Sequence, residues 1–330
     1  MRRGAQLALA AAGATLLVAL IRAVGVEPVA DELSHIGVAF VGVVVLELLL
    51  DACNTLGWRR TLAPSSVEFW RLYWIRQAGT AVNQLTPTAS LGGEAVKAML
   101  LRPHIGGDAA LASIVAAKLS FAMAQMGLVL LGLTAVLTRL RAGSTLRVGL
   151  LLACATTCAG VGGFLLLQRR GLIATMTTWL WRLGLRGEWL ARLRARGASL
   201  DARLAALHFE RPGAFLASIG WHFAAQLVST VQLFYILHCL GTPASATTCL
   251  AIEAFALALD SAVFFVPGRI GVQEGGRVLV FTALGLRATT GLTVAIVVRV
   301  NQLVVAAIGL AAFAYLSLAS APAAGSISES

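Results

Sequence analysis

Charged side chains are scarce in this chain. They make up 12% of its 330 residues, whereas hydrophobic residues make up 58%. A soluble domain is about a quarter charged, so the composition excludes an ordinary soluble enzyme or binding module. The apolar stretches are continuous and rich in Leu and Ala, which argues against an alternating transmembrane β-barrel. Several are long enough for the roughly 20 residues that a membrane-crossing helix needs.

Lysine occurs only twice, as Lys97 and Lys118, so arginine carries most of the net charge of +11. Basic residues accumulate in cytoplasmic loops of membrane proteins. We therefore attribute the net charge to the orientation of the chain in the membrane, and we expect no nucleic-acid partner. The five cysteines show no CxxC and no zinc-ligand spacing. HExxH, P-loop and GxSxG motifs are absent. We therefore expect no metal, no cofactor and no catalytic residue.

The hydrophobic pattern predicts an all-α polytopic membrane protein with about six spans and two re-entrant helical hairpins. The spans are expected at about 5–24, 36–57, 108–137, 148–167, 213–238 and 288–318. The hairpins are expected at 66–101 and 245–286, where short segments are interrupted by proline. Residues 245–264 could also cross fully, which would move the C-terminus to the other side of the membrane.

A single transmembrane domain covering 1–330 is expected, built from two repeat halves at about 36–138 and 213–318. The halves are joined by a basic linker, about 168–211, which the concentration of arginine places in the cytoplasm. The small, polar tail at 319–330 is expected to be disordered. With six spans and two hairpins that do not cross, the two hairpins are expected to enter from opposite sides of the membrane. The second half would then be an inverted copy of the first, as in many transporters.

One motif occurs twice, 180 residues apart. Each copy has a proline, six further residues, a glutamate, two residues and a cation: Pro87, Glu94 and Lys97 in the first, and Pro267, Glu274 and Arg277 in the second. A further cation follows each glutamate, Lys118 after 24 residues and Arg299 after 25. Paired breaks in the two halves of a membrane protein indicate a substrate site built from discontinuous helices.

Polar and small residues beside the breaks complete the candidate binding site. Glycine allows close backbone approach, a helix N-terminus favours anions, and amides supply hydrogen bonds; these residues are Asn83, Gly92, Gly93, Gly268, Gly271 and Gln273. The structural alternative is that each glutamate only caps its helix and pairs with the cation at i+3. In a second alternative, Lys118 pairs with Glu47 or Asp51 and Arg299 pairs with Glu253 or Asp260, because intramembrane charges are costly alone.

The segments Asn-Gln-Leu-Thr-Pro at 83–87 with Gly-Gly-Glu at 92–94, and Val-Pro-Gly-Arg-Ile-Gly-Val-Gln-Glu-Gly-Gly at 266–276, carry a family resemblance. They resemble the flippase-like family built on the transmembrane domain of lysylphosphatidylglycerol synthase, most closely its standalone branch associated with hopanoid biosynthesis. The resemblance implies a polytopic inner-membrane protein with re-entrant hairpins that moves lipids between leaflets. The family's synthases also carry a soluble aminoacyl-transferase domain, and this chain is expected to lack one.

These observations predict a lipid transporter of the bacterial inner membrane, with a polar, anionic, glycosylated or hopanoid-related lipid as cargo. The rival hypothesis is an accessory subunit or an intramembrane enzyme of hopanoid or glycolipid biosynthesis. The expected partners are membrane lipids, with lipid-biosynthesis enzymes and further copies of the chain as additional options. The sequence leaves the cargo, the direction and the energy source open.

Overall fold

The computed structural model describes residues 36–64, 66–85, 91–137, 171–184, 211–262 and 272–319, with isolated residues between 148 and 166 and between 187 and 205. Across these residues the chain forms helices joined by turns, with no strand. The delimited helices are α1 Ala39–Arg60, α2 Phe69–Leu85, α3 Leu91–Ile105, α4 Gly107–Leu137, α5 Leu172–Arg182, α6 Pro212–Cys239, α7 Ala246–Ala262, α8 Val272–Ala283 and α9 Ala288–Ala319. The all-α prediction is confirmed.

Four helices have the length and apolar composition needed to cross a membrane: α1, α4, α6 and α9. They coincide with four of the expected spans. The span expected at 5–24 lies outside the described residues, as does most of the one at 148–167. The chain is therefore a multi-pass membrane protein.

The helix ends follow local chemistry. Pro212 occupies the first turn of α6, where its missing N–H costs nothing, and Arg59 and Arg60 lie in the last turn of α1, where cations favour the helix dipole. Gly106 separates α3 from α4 with φ of 82°, and Gly285 ends the turn after α8 with φ of 78°. Both need the left-handed region that glycine adopts without strain.

Helices α1 and α6 pack side by side and run in opposite directions. Near the start of α1, the Tyr235 hydroxyl donates to the Ala39 carbonyl at 3.1 Å. Near its end, the Ser218 hydroxyl donates to the Gly57 carbonyl at 2.8 Å. Residue numbers thus fall along α6 as they rise along α1.

Two pairs of short helices form antiparallel hairpins. In the first, α2 and α3 meet at Asn83 and Gly93 beside the turn and at Arg71 and His104 at the base. In the second, Gly276 of α8 lies against Leu259 and Phe255 of α7. At 1.5 Å per residue, helices of 12–17 residues are about 18–25 Å long, shorter than the roughly 30 Å core of a bilayer.

The bases of the two hairpins lie at opposite ends of the bundle. One apolar cluster joins the end of α1, the beginning of α2 and the end of α9, and includes Trp58, Leu72 and Phe313. A second cluster joins the beginning of α1, the beginning of α7 and the beginning of α9, and includes Val43, Cys249 and Val294. Since α1 and α9 contribute opposite ends to the two clusters, the hairpins approach from opposite directions.

The two halves repeat the same pattern of helix contacts. Each contact has a counterpart when α1, α2, α3 and α4 are replaced, in that order, by α6, α7, α8 and α9 and the reverse. Helix α2 packs on α9 and α7 packs on α4, α3 packs on α4 and α8 packs on α9, and α1 packs on α6. Glycine permits the closest of these contacts: Gly309 lies against the Gln77 carbonyl, and Gly132 against Ala254. The repeated motif agrees with this correspondence, because Glu94 on α3 and Glu274 on α8 are 180 residues apart.

Candidate functional site

The tip of the first hairpin is held by direct contacts between α2 and α3. The Gly93 amide donates to Asn83 Oδ1 at 2.7 Å, and Asn83 Nδ2 donates to Glu94 Oε1 at 3.3 Å. A side chain at Gly93 would collide with the Gly79 carbonyl oxygen and with Asn83. The glycine therefore allows the close approach that brings Glu94 beside Asn83.

Glu94 is shared by two cations. Its Oε1 lies 3.0 Å from Lys97 Nζ on the same helix and 2.9 Å from Lys118 Nζ on α4. The side chains of Glu94 and Lys97 are 17% and 12% exposed, whereas that of Lys118 is 51% exposed. With all three groups ionised, this lysine–glutamate cluster carries one excess positive charge, and its accessible side is Lys118.

This cluster lies far from the ends of the spanning helices. Leu85, the last residue of α2, packs against Ala306, which is near the middle of α9. The end of α2 is therefore at mid-height in the bundle. A cation there is remote from the headgroup level of a bilayer, and intramembrane charges in such positions face the bundle interior or a watery cavity and are commonly functional.

A second polar group joins α1 to α2. Asp51 is 3% exposed and forms an ion pair with Arg76. Its Oδ2 also accepts a hydrogen bond from Gln77 Nε2 at 2.7 Å. Two adjacent residues of α2 thus satisfy one buried carboxylate, which is the condition for retaining a charge in an apolar interior.

A third polar group joins three spans at Glu47, one turn before Asp51 on α1. Glu47 Oε2 accepts hydrogen bonds from Gln232 Nε2 on α6 and from Asn301 Nδ2 on α9, each at 3.0 Å. Gln232 Nε2 also donates to the Val43 carbonyl at 2.9 Å. Among the described residues, no lysine or arginine lies within ion-pair distance of Glu47.

Neutral polar contacts continue towards the end of α1. Asn54 Oδ1 lies 2.7 Å from His222 Nδ1, and the His222 ring meets Phe121 edge-on. Ser218 and Ser120 are 2.7 Å apart. These contacts tie α1, α4 and α6 together.

In the second half, Arg299 is buried on α9, and its Nη1 donates to Gln302 Oε1 at 3.4 Å. Arg277 is half-buried on α8, where its carbonyl lies against Gly291. Glu253 accepts a hydrogen bond from the Ser229 hydroxyl at 2.8 Å. Other members of the predicted site lie outside the described residues, either whole (Pro87, Pro267, Gly268 and Gly271) or in their side chains (Gln273 and Glu274).

The structure brings together five residues of the predicted site: Asn83, Gly93, Glu94, Lys97 and Lys118. Gly92 is half-buried beside them. The pairing expected at i+3 between Glu94 and Lys97 is present, but it is not the whole arrangement, because Lys118 joins it.

The alternative that pairs Lys118 with Glu47 or Asp51 is wrong. Lys118 pairs with Glu94, and Asp51 pairs with Arg76. The reason is that the first hairpin supplies a partner to each group, Arg76 to Asp51 and Glu94 to Lys118.

The sequence analysis did not identify Arg76, Gln77 and Gln232 as partners of buried carboxylates. Arg76 and Gln77 contact Asp51, and Gln232 contacts Glu47. Arg76 and Gln77 stand in the segment at 66–101 that we assigned to the first hairpin. Gln232 is an amide within the apolar helix α6, and this is the available signal, since polar side chains within spans hydrogen-bond across helices.

Comparison with known proteins places the chain in a family. The profile described as the lysylphosphatidylglycerol synthase TM region matches residues 5–309. The chain belongs to this family. It is thus a membrane domain of a kind linked to lipid-related function. No curated protein and no solved structure matches significantly.

Proposed function

We propose that this chain is a transporter that moves an anionic or polar lipid between the leaflets of the bacterial inner membrane. The observation that carries the proposal is the lysine–glutamate cluster of Glu94, Lys97 and Lys118, held at mid-height by the first hairpin. Its excess positive charge and the exposure of Lys118 suit a phosphate or another anionic headgroup.

The packing supports an inverted repeat. A two-fold axis that exchanges two antiparallel neighbours must be perpendicular to them, and α1 and α6 are such a pair. For helices that cross a bilayer, that axis lies in the membrane plane, the arrangement found in many transporters. The two hairpins then enter from opposite faces as re-entrant elements, consistent with helices too short to span.

The mechanism follows from this geometry. A lipid headgroup reaches Lys118 from the open side of α4 while its acyl chains stay in the bilayer. Lys97 supplies a second cation, and Glu94 keeps both lysines in place between transport events. Rocking of one half against the other would expose the site to each leaflet in turn, with Arg277 and Arg299 as the corresponding cations of the second half.

We infer the cargo class from the positive charge of the lysine–glutamate cluster and from the family's link to lipids. A glycolipid or hopanoid-related lipid with an anionic group fits the site, and a lipid-biosynthesis enzyme would supply it. Self-association of the chain is compatible with this function and is not required by it.

The test is lipid translocation in liposomes containing the purified protein. Lipids with fluorescent headgroups, one anionic and one zwitterionic, are followed by an impermeant quencher added outside. We expect the protein to accelerate movement of the anionic lipid, and Lys118→Gln or Glu94→Gln to slow it by at least about tenfold, the equivalent of roughly 1.4 kcal/mol in the barrier.

Glu68→Gln is the matched control, because Glu68 is exposed in the turn before α2, and it should leave the rate unchanged. If correctly inserted protein moves neither lipid, the proposal fails and an accessory subunit or an intramembrane enzyme becomes the better hypothesis. Equal rates for the wild type and both site variants would place the lipid elsewhere.

A further inference from the structure

Glu47 differs from Asp51 and Glu94, the two other carboxylates that link helices of the first half. Asp51 has Arg76, and Glu94 has two lysines. Glu47 is contacted by two amides instead, and both donate to the same oxygen, Oε2. Its other oxygen, Oε1, accepts no hydrogen bond from a described residue.

A second oxygen beside Glu47 also has unused capacity. Asn301 is 1% exposed, and its Nδ2 donates to the carboxylate, so the orientation of its amide is determined by that bond. Asn301 Oδ1 is buried and has no hydrogen-bond partner among the described residues. Gln77 repeats the pattern at Asp51, since its Nε2 donates to the carboxylate and its Oε1 is buried without a partner. Buried acceptors left without a donor are costly and call for an explanation.

We propose that Glu47 and Asn301 form a binding site for a small monovalent cation, either a proton or sodium. Carboxylate and amide oxygens suit hard cations, and carboxylates inside membrane proteins serve as proton carriers. The surrounding groups are Asp51 on α1, Arg76 and Tyr73 on α2, Gln232 on α6 and Asn301 on α9. Among the described residues, Arg76 is the one cation that acts on both Asp51 and Glu47, so the site can accept one further positive charge.

The position of the site suits a coupling element. Glu47 belongs to the first half, whereas Gln232 and Asn301 belong to the second. These contacts cross the boundary between the two halves, which we call the seam. Rocking of one half against the other would change the distances between Glu47 and its two amide partners. A bound cation would stabilise one arrangement of the seam and, by linkage, the lipid affinity of that arrangement.

The charges link this site to the lysine–glutamate cluster. The six charged side chains Glu47, Asp51, Glu94, Arg76, Lys97 and Lys118 balance when all are ionised. Arg76 is close enough to act electrostatically on both Glu47 and Lys97. One cation bound at Glu47 gives the six groups a net charge of +1 and favours an anion at Lys118. This coupling role rests on the proposed function, whereas cation binding itself does not.

The experiment measures binding without lipid transport, on the full-length protein in nanodiscs. Thermal unfolding is compared in sodium chloride and choline chloride at equal ionic strength. In parallel, infrared difference spectra are recorded as the pH is changed, and the carbonyl band of a protonated carboxylic acid is followed. The variants are Glu47→Gln, which keeps an oxygen to accept from both amides, and Glu68→Gln as the control.

A sodium site predicts that sodium raises the Tm of the wild type and of Glu68→Gln by at least about 2 °C, the shift expected from specific ligand binding, and leaves Glu47→Gln unchanged. A proton site predicts a titrating carboxyl band in the wild type and in Glu68→Gln that Glu47→Gln lacks.

The proposal is overturned if the wild type shows neither response, which can be judged even if a variant misfolds. It is also overturned if Glu47→Gln responds as the wild type does. Cation binding without any lipid movement would leave this site standing and remove the proposed function instead.

Discussion

At the residue scale, the ion pair of Asp51 and Arg76 shows how a charge is retained inside this bundle. The carboxylate receives an ion pair and an amide hydrogen bond from consecutive residues of α2. Removing one member of such a pair leaves the other charge buried without a partner, and that penalty exceeds the net value of the pair. The pair is therefore better understood as locking α1 to α2 than as a source of stability.

Asp51→Asn should accordingly destabilise the protein by on the order of 3 kcal/mol, because Arg76 would remain charged without its partner. The double variant Asp51→Asn with Arg76→Gln should recover at least half of that loss. Unfolding free energies in mixed micelles measure both effects. If the double variant is no more stable than the single one, the coupling inferred from the structure is absent.

At the element scale, the first hairpin depends on close backbone contact. Asn83 accepts a hydrogen bond from the amide of Gly93, and Gly93 lies directly against the Gly79 carbonyl oxygen, so the two helix backbones are in close contact here. This contact delivers Glu94 to both lysines. The hairpin therefore acts as the support that positions the lysine–glutamate cluster.

Gly93→Ala should force α2 and α3 apart and lower stability by about 1–3 kcal/mol, the usual cost of overpacking. It should also slow lipid movement, since Glu94 would shift. Gly220→Ala in α6 is the matched control: its added methyl group meets nothing within 4 Å, and replacing a helical glycine should if anything stabilise, by up to about 1 kcal/mol. Thermal unfolding of the two variants makes the comparison, and equal Tm values would contradict the close-contact argument.

At the scale of the whole molecule, the two hairpins are anchored at opposite ends of the bundle. The apolar cluster at one end contains residues of α2 and α3, and the cluster at the other end contains residues of α7 and α8. Helix α1 begins in one cluster and ends in the other. The connection from α6 to α7, and the beginning of α9, then lie on the side opposite the connection from α1 to α2. This sidedness can be measured without knowledge of the cargo.

Single cysteines at Thr242, Ala288 and Ala63, in a background without the five native cysteines, should separate into two groups. We expect Thr242→Cys and Ala288→Cys to react with an impermeant reagent added outside the cell. Ala63→Cys should react only after the cytoplasmic side is opened. Reaction of Ala63→Cys from the same side as either of the others would contradict the inverted arrangement.

Several properties of this protein follow from its sequence alone. The long apolar runs determined that it is an all-α membrane protein and where α1, α4, α6 and α9 lie, because burying backbone in lipid requires continuous helices. The proline and glycine positions predicted breaks at Pro87 and Pro267, which lie outside the described residues. The repeated motif predicted Glu94, Lys97 and Lys118 as members of a common site, and the structure brings these three side chains together.

The tertiary structure decided which charge faces which. Glu47 meets a partner 185 positions away on α6 and another 254 positions away on α9, and Asp51 meets Arg76 rather than Lys118. Hydropathy records how apolar a helix is but not its rotation or its neighbours, and helices that are apolar on all sides carry no marked inner face. The pairing of buried charges therefore depends on how the two halves pack, which no single segment of the sequence encodes.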